Sequence, residues 1–470
     1  MYIEQLYTNC LSEAAYYIES EGEAAVIDPL RDIEEYLQLA KKRNASIKYI
    51  FETHFHADFV SGHLDLSKAT GAPIVFGPET RAGFDVHLAK DGEVFSIGKL
   101  TLHILHTPGH TLESTCYLLK DEKGTDYAVF TGDTLFAGDV GRPDLAQKGD
   151  NITTHELASI LYESLQKKIV PLADNVIVYP GHGPGSSCGK NIGPSTVSSI
   201  GEEKKTNYAL LAPTKEAFIE AVTEGLTAPP QYFPINAQIN KSGYESIDLV
   251  LDKGLTALSV EAFKELASKD HIIILDTRPA PVFVQGFVPA SISIGLEGRF
   301  AEWAGSLLPF DKTFILVTEP GKEKETITRL ARVGFERFEG YLAGGFESWR
   351  NAGEEIDLII DVDADEVAMD IPFDENLVIV DVRKEVEYAD GHVKDAVNIP
   401  LLNLTDPASM AAIQETDNLY IHCAGGYRSV IASSLLKRQG IHNLRNVNGG
   451  WASLKEQEKI ETEKSTEVLN

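Results

Sequence analysis

The chain has 470 residues, of which 43% are hydrophobic and 24% charged, and it carries a formal net charge of −29. That length exceeds one ordinary core and predicts about two to four globular domains. The acidity argues against a nucleic-acid partner and disfavours an anionic membrane surface, because phosphates would be repelled over most of the molecule. The opening "MYIEQLYTNC" has no basic segment leading into an apolar one, so no secretory signal is expected. No stretch approaches the roughly 18 uninterrupted apolar residues of a membrane span. Cys10, Cys116, Cys188 and Cys423 are too few and too scattered for a disulfide scaffold, which predicts a reducing cytoplasm.

In chain order, "EAAVIDP", "IKYIFETH", "PIVFG", "LTLHILHTPG", "YAVFTGD" and "NVIVYPGHG" read as strands that end in polar residues. "DIEEYLQLAKKR" and "THELASILYESLQKK" read as helices between them, and residues 200–255 as helical decoration followed by a linker. The strand "IKYIF" runs directly into His54, His56 and Asp58 of "THFHADF". Three further ligand types stand at similar strand ends: His110 in "HTPGHT", Asp133 in "FTGDT" and His182 in "YPGHG". Imidazoles and carboxylates converging from separate strand ends are how a catalytic metal with an open position is built.

Those four motifs, in that order over roughly residues 1–250, resemble the metallo-β-lactamase fold, an αββα sandwich with metal at one rim. In binuclear members of that fold, such as the glyoxalase II type thioester hydrolases, the residue after the aspartate is a histidine that holds a second zinc. Here it is Phe59, which has no lone pair. A mononuclear centre is therefore expected, with Asp58 and His182 left as orienting groups of a vestigial second site. The persulfide dioxygenase branch holds a single Fe(II) through residues that map onto His54, His110 and Asp133, and two imidazoles with a carboxylate suit non-haem iron. His56 is either a fourth ligand, which would favour zinc, or it turns away. "GDVGRPDL" (138–145) is similar to a segment of the same branch, and its Arg142 pairs either with a carboxylate of a thiol carrier or with Asp144.

The second half repeats itself. Asp276 and Asp381, Arg278 and Arg383, Gly286 and Gly391, and Gly344 and Gly449 are each separated by 105 positions. One constant offset predicts two adjacent α/β domains, over 256–356 and 363–465. In the second copy "IHCAGGYRS" places Cys423 at a strand exit, before a glycine loop that ends at Arg428 and a helix. Loop amides and a helix N-terminus favour a thiolate, the reactive form. This copy resembles a rhodanese, a sulfurtransferase whose cysteine carries a persulfide while the loop and Arg428 stabilise the anionic sulfur. The equivalent positions of the first copy are Thr318 and Glu323, so that copy is expected to be silent.

The whole arrangement looks like persulfide dioxygenase–rhodanese fusions of bacteria. The resemblance implies a cytoplasmic homo-oligomer of sulfide detoxification, with one Fe(II) per chain, or zinc as the alternative. It would take a small thiol persulfide and O₂ to sulfite, with thiosulfate made or used at Cys423. The rivals are a zinc thioester hydrolase and a sulfane-sulfur carrier without dioxygenase activity. Cys116 is expected in the core, and Cys10 and Cys188 look exposed, either as substrate contacts or without a role.

Overall fold

The computed structural model describes residues 1–145, 152–414 and 416–465. Two compact units form, one from Met1–Leu249 together with Thr328–Glu336, the other from Val250–Ile327 and Arg337–Asn470.

The first unit has two six-stranded sheets. One contains β1 (Tyr2–Thr8), β2 (Glu13–Ser20), β3 (Glu23–Ile27), β4 (Ser46–Phe51), β5 (Ile74–Phe76) and β6 (His87–Leu88) in that spatial order. The other contains β7 (Val94–Ile97), β8 (Leu100–His106), β9 (Thr115–Lys120), β10 (Asp126–Gly132), β11 (Ile177–Pro180) and β12 (Ser198–Ser199), in the order β12-β11-β10-β9-β8-β7. Alternation along each strand sends neighbouring side chains to opposite faces. Tyr16, Ile18, Ala25 and Phe51 of the first sheet meet Phe95, Leu102, Tyr117 and Phe130 of the second in the central core. The intervening Tyr17, Val26 and Ile50 face outward onto Tyr36, Ala40 and Leu66 of the helices Glu34–Arg43 and His63–Thr70. Leu118, Val129 and Val178 likewise cover Ala158 and Leu161 of the helix Thr154–Ser164. Two double-faced sheets between two helical layers are the αββα sandwich that the motifs imply.

A nine-residue segment from within the first repeat, Thr328–Glu336, belongs to this unit. The repeat pattern gives no sign of that. Arg332 donates two hydrogen bonds to Asp32, at 2.7 and 2.8 Å, and its carbonyl accepts from the Val60 amide at 2.7 Å. Glu336 accepts from the fully buried Arg31 at 2.5 Å.

In the second unit each repeat is a five-stranded parallel sheet. The order is Ala257–Leu258, Phe338–Leu342, Thr313–Val317, Ile272–Asp276, Ile292–Ser293 in one. It is Ile360–Val362, Leu444–Val447, Asn418–His422, Leu377–Asp381, Val397–Asn398 in the other. Three of the four sequence landmarks make one device in both copies. Arg278 binds Asp276 and the carbonyl of Gly286 at 3.0 Å; Arg383 binds Asp381 and the carbonyl of Gly391 at 2.7 Å. The helix Tyr427–Arg438 faces the strand Ile292–Ser293, where Ser434 Oγ accepts from the Ser293 amide at 3.0 Å.

Arg332→Ala removes a charge-assisted bidentate contact on the first unit. The expected loss is about 2 kcal/mol, read as a lower urea midpoint for the transition of that unit.

Candidate functional site

The ligand-type residues stand just beyond the C-terminal ends of strands: Asp28 after β3, His54 after β4, Asp133 after β10 and His182 two residues beyond β11. His110 lies on the turn between β8 and β9. All are buried. The approach is close enough to require glycine. A Cβ on Gly141 would stand 1.9 Å from the Asp133 carbonyl oxygen, and one on Gly132, at φ +47°, would stand 2.5 Å from Thr53 Oγ1.

Three groups of donors result. His54, His110 and Asp133 form the first, with Nε2 of His54 and His110 at 3.7 and 3.3 Å from Asp133 Oδ2. The two rings stand nearly perpendicular, 5.0 Å apart. Their outer nitrogens fix their tautomers. Thr53 Oγ1 donates its proton to Asp28 at 2.8 Å and so accepts from His54 Nδ1 at 2.9 Å. His110 Nδ1 donates to the Arg142 carbonyl at 2.9 Å. Both Nε2 lone pairs then point inward, which is what metal ligation requires. Burial and the neighbouring imidazoles of His56, His110 and His182 hold His54 well below the usual imidazole range, hence neutral. Among the described residues, His110 Nε2 and both oxygens of Asp133 are buried without a hydrogen-bond partner, an arrangement that a cation would satisfy. The donor set fits one divalent ion with open positions.

His56 stands in another group. Its Nε2 is 3.1 Å from Asp28 Oδ1 and 3.2 Å from Glu52 Oε2. Burial alone would lower this imidazole, but the two carboxylates outweigh it and hold it well above the ordinary value. Of the two positions open to His56 from its sequence, the one turned toward carboxylates is the one observed. Phe59 stacks on it, rings 4.3 Å apart.

The third group holds Asp58, His182 and Cys188. Here the structure corrects an expectation, because Cys188 is buried rather than at the surface. The "GSSCGK" loop folds inward, tied by the bond from the Arg142 amide to the Cys188 carbonyl at 3.0 Å. Cys10 is half-buried; Cys116 is buried in the core as expected, where burial pushes its thiol up to about 11. Arg142 is also resolved. It binds Asp144 through Nε and Nη2 at 2.6 and 2.7 Å, and the carbonyls of Ser187 and Thr227. The structural bridge is what forms, and a contact with a substrate carboxylate would have to displace it.

Asn240 was not legible as part of the site. From the helix Phe233–Ser242 its Oδ1 accepts from the Ser61 amide, while Nδ2 donates to the carbonyls of His56 and Phe59 at 2.8 and 2.7 Å. The only hint was a helical asparagine, a residue type that disfavours helix interiors without a local reason.

In the second unit Cys423 is buried at the exit of the strand Asn418–His422, and the Gly426 amide donates to its Sγ at 3.1 Å. Gly426 also caps the twelve-residue helix Tyr427–Arg438. Arg428 is engaged by Glu387 through two bonds of 2.7 Å, and this arginine holds the glutamate below the usual carboxylate range. Glu387 escaped the sequence reading, although its counterpart 105 positions earlier is Val282. In the first copy Thr318 is buried at the matching strand exit, and Glu323 accepts from its own loop amide at Gly321.

Comparison with known proteins agrees with this architecture. The profile of the metallo-beta-lactamase superfamily matches residues 8–182, and that of the rhodanese-like domain matches 259–352 and 363–457. Mitochondrial persulfide dioxygenase ETHE1 of Mus musculus is 31% identical over 221 residues, covering 46% of this chain and 78% of that protein. Hydroxyacylglutathione hydrolase GloC of Haemophilus influenzae is 29% identical over 210 residues, covering 40% and 88%. A crystal structure of a metallo-beta-lactamase from Staphylococcus aureus superposes with a TM-score of 0.64 at 29% identity, over 73% of this chain and 99% of that one. The chain spans 60% of the length of a probable hydroxyacylglutathione hydrolase of Schizosaccharomyces pombe. The chain belongs to the metallo-β-lactamase superfamily and carries two rhodanese-like domains behind that domain. Among the described residues no helix is long and apolar enough to cross a membrane.

Asn240→Ala leaves three buried backbone groups of the ligand loop unpaired. A loss of about 3 kcal/mol is expected on urea unfolding, together with faster release of bound metal to a chelator.

Proposed function

We propose that the chain is an Fe(II)-dependent persulfide dioxygenase coupled to a rhodanese-type sulfurtransferase, acting in sulfide detoxification in the cytoplasm. The observation that carries this reading is the inward group of two imidazoles and one carboxylate, with His56 turned away toward Asp28 and Glu52. Such a set suits non-haem iron with positions left open. The likeness to ETHE1 supports the same reaction class.

When bound, the iron would bring thiol persulfide and O₂ together and supply electrons for O₂ activation. The overall balance is RSSH + O₂ + H₂O → RSH + SO₃²⁻ + 2H⁺, in which the terminal sulfur gives up four electrons to O₂. His54, His110 and Asp133 would hold the metal. Thr53 and the Arg142 carbonyl keep the imidazoles in the ligating tautomer, and Asn240 fixes the loop that carries His54. At the second centre a Cys423 persulfide would lose its outer sulfur to sulfite, giving thiosulfate and the free thiolate, or the reverse. The Gly426 amide, which donates to Sγ, and the N-terminus of the helix it caps would face that sulfur with hydrogen-bond donors. The first repeat is assigned a silent role, since Thr318 cannot carry sulfur and Glu323 occupies its loop amide.

A zinc thioester hydrolase is the second reading, favoured by the hydroxyacylglutathione hydrolases among the relatives. Oxygen uptake with a panel of thiol persulfides, with iron and zinc quantified on the same sample, separates the two. One iron per chain and persulfide-dependent uptake are expected, both lost in His110→Ala. Thioesterase turnover on a zinc-loaded chain without oxygen uptake overturns the proposal.

Cys423→Ser is expected to abolish sulfur transfer between thiosulfate and thiol while persulfide-dependent oxygen uptake continues. Thr318→Cys alone is expected to create no transferase activity, as measured by thiocyanate formation from thiosulfate and cyanide in a Cys423→Ser background.

A further inference from the structure

Cys423 and Arg428 bracket a short loop whose two sides are held by different bodies. On the cysteine side the anchor is local. The carbonyls of Cys423 and Ala424 accept from the amides of Trp451 and Ala452, on the helix Gly450–Leu454, at 2.7 and 3.1 Å. Ala424 and Gly425 are exposed, and a Cβ on Gly425 or Gly426 would meet nothing within 4 Å. Gly426 nevertheless aims its amide at Cys423 Sγ, at 3.1 Å, from a backbone with φ +107°. The next residue supplies the second anchor. Tyr427 Oη donates to the carbonyl of Gly295, in the first repeat, at 2.8 Å, and a Cβ on Gly295 would stand 3.6 Å from Tyr427 Cε2.

That bond opens a row. Ser434 Oγ accepts from the Ser293 amide at 3.0 Å, and Arg438 Nη1 donates to the Ala290 carbonyl at 2.9 Å. Tyr427, Ser434 and Arg438 are spaced by seven and eleven positions on one helix, which puts them within about 20° of one line. Their partners flank or belong to Ile292–Ser293, the edge strand of the first repeat's sheet. Covering an edge accounts for Ser434 and Arg438. It does not account for Tyr427, whose partner lies past the strand and which stands beside the amide that meets the sulfur. Its counterpart in the first repeat is Lys322, so the phenol occurs in the copy that has the thiol.

We infer that Tyr427 is a positioning residue for the Cys423 loop, and that the first repeat, through the Gly295 carbonyl, is the body that holds it. With Ala424 tied on one side and Tyr427 on the other, only Gly425 and Gly426 are left to choose their backbone angles. Two glycines without fixed ends would be the freest residues of the loop, and the Gly426 amide would not stay on Sγ. A repeat that has no thiol of its own thereby serves the thiol of its neighbour. The kinetic consequence rests on the sulfur transfer proposed for Cys423; the anchor itself rests on the geometry.

The test is hydrogen–deuterium exchange of the full chain, read by mass spectrometry on peptides covering 423–428, beside steady-state sulfur transfer from thiosulfate to cyanide. Tyr427→Phe keeps the ring and removes the hydroxyl. Exchange over 423–428 is expected to speed up about threefold or more while the rest of the helix is unchanged, the size set by the loss of one neutral hydrogen bond. Over the same change kcat is expected to fall about threefold to tenfold with KM for thiosulfate kept. Ser434→Ala loosens the same interface away from the loop, and is expected to lower the urea midpoint without altering loop exchange or kcat. Unchanged loop exchange in Tyr427→Phe overturns the anchor. Equal effects in Ser434→Ala overturn it as well, since loosening of the interface anywhere would then suffice. A raised KM with kcat kept overturns the positioning role, because the hydroxyl would then be meeting substrate. A wild-type chain that transfers no sulfur, but whose loop exchanges faster on Tyr427→Phe, sinks the rhodanese reading and not this anchor; sulfur transfer with unchanged exchange does the reverse.

Discussion

Three imidazole rings at the sheet edge are each held through Nδ1 by an oxygen that can only accept. For His54 it is a threonine hydroxyl whose own proton is committed to Asp28; for His110 and His182 it is a backbone carbonyl. This constraint decides which nitrogen faces inward, and the rest of the site depends on it. A ring free to flip would present Nδ1–H to a cation about as readily as a lone pair, and the donor sets would dissolve. The sandwich supplies the constraint because Asp28 and His54 follow the ends of the parallel neighbours β3 and β4, and Asp133 follows the end of β10 in the other sheet, so their spacing is inherited from two packed sheets rather than from flexible loops.

The internal repeat separates what a rhodanese fold needs from what its chemistry needs. Both copies keep the aspartate–arginine–glycine-carbonyl clamp with nearly the same distances, and in both the arginine lies over an aromatic ring, Phe346 or Trp451. That is architecture, since it survives where no nucleophile exists. Only the second copy has Cys423, Arg428 and Glu387, whose counterparts are Thr318, Glu323 and Val282. The differences are a thiol and a cation at the loop and the start of the helix Tyr427–Arg438, and the anion that orients the cation on the separate helix Glu385–Asp390. Glu387 therefore belongs with Cys423 and Arg428 as a positioning group for the loop.

Strand ends with ligand-type residues, the constant offset of 105 and the cysteine at a strand exit were all legible, because period-two patterning and short local motifs write them directly. Asn240 and Arg332 were not. Each acts on the 56–60 loop from more than 170 positions away, and a lone polar residue in a helix carries no mark of its distant partner. Cys188 was misread for a related reason. Its "GSSCGK" setting looks like an exposed turn, but the Arg142 amide and the packing of the loop against Asp58 and His182 bury it. Local composition reports the turn and says nothing of what lies across it.

Charge balance explains why His56 stays apart from the first group although its ring is only 4.3 Å from that of His54. Asp28 and Glu52 are fully buried carboxylates within 3.2 Å of its Nε2, and Glu52 is shared with His63 at 3.4 Å. As an imidazolium, His56 supplies the counter-charge those acids need. As a neutral metal ligand it would withdraw that charge and leave buried carboxylates under-compensated, a penalty of about 3–5 kcal/mol for a broken buried pair. The metal edge is thus divided by electrostatics. One imidazole is spent on internal charge, and the remaining donors sort into a nitrogen-rich group around His54 and His110 and a sulfur-bearing one around Cys188, with Asp133 between them.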